Sequence, residues 1–156
     1  MKLFPDRWAL YLGGGIFLAG FLNAGVGFVA LKRLEKKAGA PIRGRFLPHL
    51  YEPAFTLKNP NLEWRGRFQV SSGTLRVHYD PLFLLPGRKF RARIEGQNLR
   101  GRLFGALAES QGVSEVTVHH VEVDFAFSKS KTPEIFSFHI QSPELQFQLI
   151  QKETEN

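Results

Sequence analysis

Residues 8–31 read WALYLGGGIFLAGFLNAGVGFVAL, twenty-four consecutive positions without a charged side chain. As an α-helix, at about 1.5 Å per residue, this run is roughly 36 Å long and crosses a hydrocarbon core of about 30 Å with some tilt. Trp8 and Tyr11 stand at one end, where amphipathic rings favour the membrane interface, and Lys32, Arg33, Lys36 and Lys37 close the other. Ala38-Gly39-Ala40 has the small-x-small form of a signal-peptide cleavage site. It lies behind the basic block, however, and the apolar run exceeds the roughly 7–15 residues of a cleaved leader. The expectation is an N-terminal tail over residues 1–7 and an uncleaved transmembrane helix over residues 8–31.

Within that run Gly15, Ala19, Asn23 and Gly27 recur every fourth position and form one stripe. Small residues let helix backbones approach closely in lipid, and an amide in mid-membrane needs a partner. The stripe is therefore expected to dock on a transmembrane helix of another protein, against the plainer reading that glycine is common in membrane helices.

Residues 32–49 read as a basic amphipathic stub followed by a loop broken by Gly39, Pro41, Gly44 and Pro48. From about Leu50 to the last residue the period changes to two. Leu62, Trp64, Phe68 and Val70 alternate with charged or polar neighbours, as do Leu75, Val77 and Tyr79, then Phe90, Ala92 and Ile94, then Phe136, Phe138 and Ile140, then Leu145, Phe147 and Leu149. Each run is a half-buried strand signature. Turns are expected at Asn59-Pro60-Asn61, Ser71-Ser72-Gly73, Pro86-Gly87, Gly96-Gln97-Asn98 and Ser142-Pro143. Between Val116 and Phe127 the apolar phase switches at His119-His120, where a β-bulge would keep six apolar residues on one face. A short helix is expected from about Leu103 to Ser110. The fold class is mainly β: one transmembrane helix, then a curved antiparallel sheet or small β-sandwich of about seven to nine strands over residues 50–156.

The net charge is +7, with 0 Cys, so disulfides and thiolate metal sites are excluded. Residues 32–102 hold 16 Lys/Arg against 5 Asp/Glu, whereas residues 103–156 hold 3 against 8. A basic half beside a membrane span points to an anionic partner, with lipid head groups the simplest. By alternation, Arg65, Arg67, Arg76, Lys89, Arg91 and Arg93 lie opposite the apolar phase, forming either an anionic-partner face or an ordinary solvated one. Aromatic rings that would stack on bases occupy the buried phase instead, which argues against nucleic acid. Phe125, Phe127, Phe136, Phe138 and Phe147 share the apolar phase. They are core in a closed sheet and a groove for an acyl chain in an open one.

His119-His120 point to opposite faces and have no spaced ligand set around them, and His49, His78 and His139 are scattered, so no metal site is expected. Glu122 and Asp124 share a strand face that reads as solvent. Asp80 before Pro81 is a turn residue. No nucleophile elbow, phosphate loop or dinucleotide fingerprint occurs. The reading is a protein without enzymatic activity or cofactor.

Leu62-Glu63-Trp64, Gly73-Thr74-Leu75-Arg76-Val77, Tyr79-Asp80-Pro81-Leu82, Ile94-Glu95-Gly96-Gln97-Asn98-Leu99 and Ser142-Pro143-Glu144-Leu145, behind a single membrane helix, resemble segments of AsmA-like proteins. The resemblance implies a bacterial inner-membrane anchor, a periplasmic curved sheet with an apolar inner face, and a role in envelope lipid transport or assembly. The chain is much shorter than such proteins. Eight strands about 4.8 Å apart advance only roughly 40 Å, too little to bridge two membranes. Counting Lys and Arg around the span alone favours a cytoplasmic β-domain, and the resemblance favours the periplasm. Two functions follow from the sequence. The first is a single-pass envelope protein whose β-domain binds lipid or a protein partner at the membrane surface. The second is an accessory subunit of a larger membrane complex, docked through its helix and basic sheet face.

Overall fold

The structure, a computed structural model, describes residues 5–64, 66–127 and 134–143. The first element, α1, runs unbroken from Pro5 to Ala38. Pro5 suits a first helical turn. The helix ends where Gly39, at φ 70, lets its N–H donate to the Glu35 carbonyl at 2.9 Å. Residues 32–38, expected to be a stub outside the span, thus continue the same helix.

Among the described residues six strands follow in one antiparallel meander, paired in chain order: β1 (Arg43–Pro48), β2 (Ala54–Trp64), β3 (Phe68–Tyr79), β4 (Phe90–Leu103), β5 (Glu115–Phe127) and β6 (Glu134–Gln141). Of the two expected forms, the described residues take the single antiparallel sheet. β1 occupies what the sequence presents as a loop. An edge strand tolerates Pro48, and Gly44 sits where a Cβ would lie 3.2 Å from the Lys58 carbonyl oxygen. A short helix, α2 (Gly105–Gln111), joins β4 to β5, as expected. A 3-10 helix (Pro81–Leu84) opens the connection from β3 to β4, its first turn capped by the Asp80 carboxylate accepting from the Leu82 N–H.

The strands from β2 to β5 are longer than expected, 11 to 14 residues, because three expected turns lie inside them; the run expected over residues 145–149 lies outside the described residues. Asn59 (φ 51) in β2, Gly73 (φ 108) in β3 and Asn98 (φ 50) in β4 adopt turn-like backbone without reversing the chain. These sites and His119-His120 of β5 stand side by side as a crease across the sheet. At the crease β4 and β5 change phase together, so their pairing runs without a slip from Phe90↔Phe127 to Arg102↔Glu115. His119-His120 is therefore a matched phase change and not the one-sided bulge expected from sequence. Its effect is the expected one: Gly96, Leu99, Val121 and Leu75 meet on one face.

The core lies between that face and the C-terminal third of α1. Ala30, Leu31 and Leu34 are buried against Phe55, Leu57, Val77, Tyr79, Phe83, Phe90, Ala92 and Phe125. Phe46, Phe55, Tyr79, Phe83 and Phe90 form a chain of ring contacts under the helix, with centroids 5.0–6.2 Å apart. The apolar run of residues 8–31 therefore serves two solvents: its first part is exposed and its last part is core.

Candidate functional site

The site is built where α1 leaves the sheet. The β1–β2 and β3–β4 connections lie at one end of the meander, and the β2–β3 turn and α2 at the other. At the first end the β1–β2 loop reaches down the helix. The Asn23 amide donates to the carbonyls of His49 and Glu52, each at 2.6 Å. A Cβ on Gly20 would meet the Leu50 side chain at 3.3 Å, and one on Gly27 would meet the Tyr79 hydroxyl at 3.3 Å. Burial raises the pKa of the Tyr79 hydroxyl, which donates to the Asn23 carbonyl at 3.5 Å. The loop itself is fixed by Arg76, which holds Glu52 at 2.9 Å and lowers its pKa, and by His49, bonded to Thr56 at 2.9 Å.

The small-residue stripe is thus divided. Asn23 and Gly27 dock on the chain's own β-domain, and Asn23 finds its partners in backbone carbonyls and not in a neighbouring helix. Gly15 and Ala19 stay exposed, with nothing within 4 Å of a Cβ on Gly15. The helix is long and apolar enough to cross a membrane. The fifteen charge-free residues from Trp8 to Leu22, ahead of the Asn23 clamp, measure about 22 Å. The β1–β2 loop exposes Leu50 and Tyr51, and the β3–β4 connection Leu82, Leu84 and Leu85, each about half exposed or more.

Two cavities open on the helix-bearing face. The first is a notch of about 710 Å3 at the end of the sheet that carries the β3–β4 connection, where Arg33 and Lys37 of α1 line it together with Arg88 and Lys89. The second is a groove of about 370 Å3 beyond the crease, on the half of the sheet that α1 leaves uncovered. Val70, Leu99, Leu103, Val116, Val118 and Phe138 line it, with Leu107 of α2 as a partial lid. Of the five phenylalanines expected to form a groove, only Phe138 lines this one. Phe125 is buried beneath α1, and Phe127 belongs to the notch. A bulge between Asp124 and Phe125 in the β5–β6 pairing turns Phe136 to the opposite face, where the Arg91 guanidinium lies 4.7 Å from its ring. Phe147 lies outside the described residues.

That opposite face carries Arg76, Arg91 and Arg93 together, as expected, but each meets a carboxylate. Arg91 and Arg93 bind Asp124 at 3.2 and 3.4 Å, and Arg93 also reaches Glu122 at 3.5 Å. Lys89, in the β3–β4 connection, pairs with Glu134 at 2.8 Å. Arg67 sits in the exposed far-end turn and Arg65 outside the described residues. The face is a network of opposite charges and not an open cationic stripe.

The Arg91 hydrogen bond, aided by Arg93 and opposed by burial, lowers the Asp124 pKa from its ordinary value. A carboxylate with a lowered folded pKa stabilises the fold above its unfolded pKa and loses that contribution as pH falls through the folded value. Asp124→Asn is expected to cost about 1–2 kcal/mol at neutral pH. The gap from the native chain should begin to narrow only below about pH 4, the ordinary aspartate value, and close as pH falls through the lowered folded value, in thermal unfolding followed across pH. A gap that persists unchanged at low pH would refute this role for the ion pairs.

Among the described residues no group of three or more His, Asp or Glu is placed to hold a metal ion. The fold and these surfaces define a helix-anchored antiparallel meander with one uncovered apolar groove. No known protein family, curated protein or solved structure matches the chain.

Proposed function

We propose that this chain is a non-enzymatic, single-pass protein of a bacterial inner membrane that holds membrane lipid against its β-domain. Its place is the surface of the bilayer that α1 enters. The groove beyond the crease is the observation that carries this reading. Its walls are side-chain carbons from four strands and α2, it lies on the face of the sheet rather than an edge, and it continues the apolar face on which the membrane helix packs. An acyl chain makes no hydrogen bonds and fits such walls, whereas a peptide backbone laid there would leave its amides unpaired. The volume is at the low end of the range of about 300–1,000 Å3 for small-molecule sites. The AsmA-like resemblance supports the same class of ligand and a periplasmic domain. Part of the basic block after the span is engaged by the fold: Lys32 pairs with Glu35, and Arg33 and Lys37 lie over phenylalanine rings.

The test is purification of the full chain from its native membrane in mild detergent, with mass spectrometry of everything that accompanies it. Native protein should retain lipid. Leu107→Trp, which fills the groove from its lid, should lose most of it without shifting the unfolding midpoint. Lipid-free native protein would overturn the reading. A second reading, an accessory subunit of a membrane complex, is favoured by the exposed Gly15 and Ala19 on the projecting part of α1. A stoichiometric set of co-purifying membrane proteins would establish it.

A further inference from the structure

We infer that the notch at the membrane-facing end binds the phosphate of an anionic phospholipid, a site separate from the acyl-chain groove. The inference rests on the reading that this end of the meander faces the bilayer. Four cations converge on the notch from two elements more than fifty residues apart in sequence: Arg33 and Lys37 on successive turns of α1, and Arg88 and Lys89 after the Pro86-Gly87 turn. Gly87, at φ 77, and the Arg88 N–H donating to Leu85 at 3.3 Å close that turn and direct the two basic residues. Buried Phe83 pins the preceding 3-10 helix to the core. Arg33 is steadied 5.3 Å from the Phe83 ring and Lys37 5.4 Å from the Phe127 ring. Among the described residues the lining holds no carboxylate, and Lys89 is paired with Glu134.

Cations gathered this closely repel one another, and an anion between them removes the penalty. Arginine presents a planar fork that matches phosphate oxygens. The floor is Phe83, Phe90 and Phe127, which exclude water and strengthen the attraction above them. The occupant is thus an anion joined to an apolar body. The adjoining Leu82, Leu84 and Leu85, each about half exposed, are suited to the acyl boundary while the cations stay at head-group depth. These features select a phospholipid of the surrounding bilayer over a free phosphate, which would leave the apolar floor and the leucines unused.

The full chain in a neutral detergent, offered phosphatidylglycerol or phosphatidylcholine with identical acyl chains, tests the inference by native mass spectrometry. The native chain should retain the anionic lipid about tenfold more. Arg33→Gln with Arg88→Gln should bring retention of the two lipids to parity. Arg45→Gln with Lys58→Gln, an equal loss of charge on exposed positions of β1 and β2, should leave the preference intact. An unchanged unfolding midpoint in each variant confirms the fold. Absence of a preference in the native chain, or its survival in the Arg33/Arg88 variant, overturns the inference. So does displacement of phosphatidylglycerol by millimolar inorganic phosphate, which would make this a site for the free anion. So does an acidic protein released by the Arg33/Arg88 variant while lipid preference is unchanged. Leu107→Trp separates the two sites: it should empty the groove and keep the head-group preference.

Discussion

Gly73→Ala destabilises the β-domain by about 3 kcal/mol or more, seen as a lowered unfolding midpoint of the full chain in detergent. Gly73 holds φ 108 in the middle of β3. An added Cβ would lie 2.5 Å from the Asn98 carbonyl oxygen and 2.8 Å from both the Asn98 carbonyl carbon and the Gln97 carbonyl oxygen. All three atoms are backbone of the neighbouring strand, so no side-chain rotation relieves the clash; β3 and β4 must separate at the crease. Gly66, by contrast, also has a positive φ but lies in the far-end turn with nothing within 4 Å of a Cβ. Gly66→Ala should cost only the conformational term, about 1 kcal/mol. Equal losses in the two variants would show that the crease is not held by close strand approach.

Phe55→Ala is the second large effect, about 3–5 kcal/mol. Phe55 has 0% of its surface exposed and joins the sheet to the helix. Its ring lies 5.3 Å from that of Phe46 and 6.2 Å from that of Tyr79, and it stands beside Gly27 of α1. The cavity left by truncation cannot collapse, because β2 is fixed by pairing on both sides and α1 by the Asn23 clamp. Removing the ring therefore loosens helix and sheet together. Proteolysis at the Gly39-Ala40-Pro41 connection should accelerate along with the drop in midpoint. A normal midpoint would mean that α1 is not part of the core.

Much of this architecture is legible in the residues. The period-two runs at 75–79, 90–94 and 136–140 are strands, the charge-free run is helix, and α2 falls within two residues of its expected place. The expected turns at Asn59, Ser71–Gly73 and Gly96–Asn98 fail for a chemical reason. A bulge and a turn make the same demand, a residue that accepts positive φ, and one chain read alone does not show whether the direction reverses afterwards. Gly44 and Pro48 hide β1 because an edge strand relaxes the rules that glycine and proline break elsewhere.

The site was harder to read. Asn23 announces itself as an amide needing partners, but those partners are backbone carbonyls 26 and 29 residues away, which carry no side-chain signature. The arginine stripe appears unopposed until strand order is known. Once β5 lies beside β4, Arg93 faces Asp124 across the pair. The notch joins the basic block after the span to Arg88-Lys89, two clusters visible in sequence whose convergence only the helix packing shows.

The unbroken course of α1 has a mechanical consequence. A domain on a flexible tether has a height and a heading that wander. Here the projecting half of the rod and the half around which the core is assembled are one helix, with the loop contacts at Gly20 and Asn23 at their junction. A tilt of the projecting half is handed to the sheet, which moves with it as the arm of a lever. The domain is thereby held at one heading relative to the projecting half of α1.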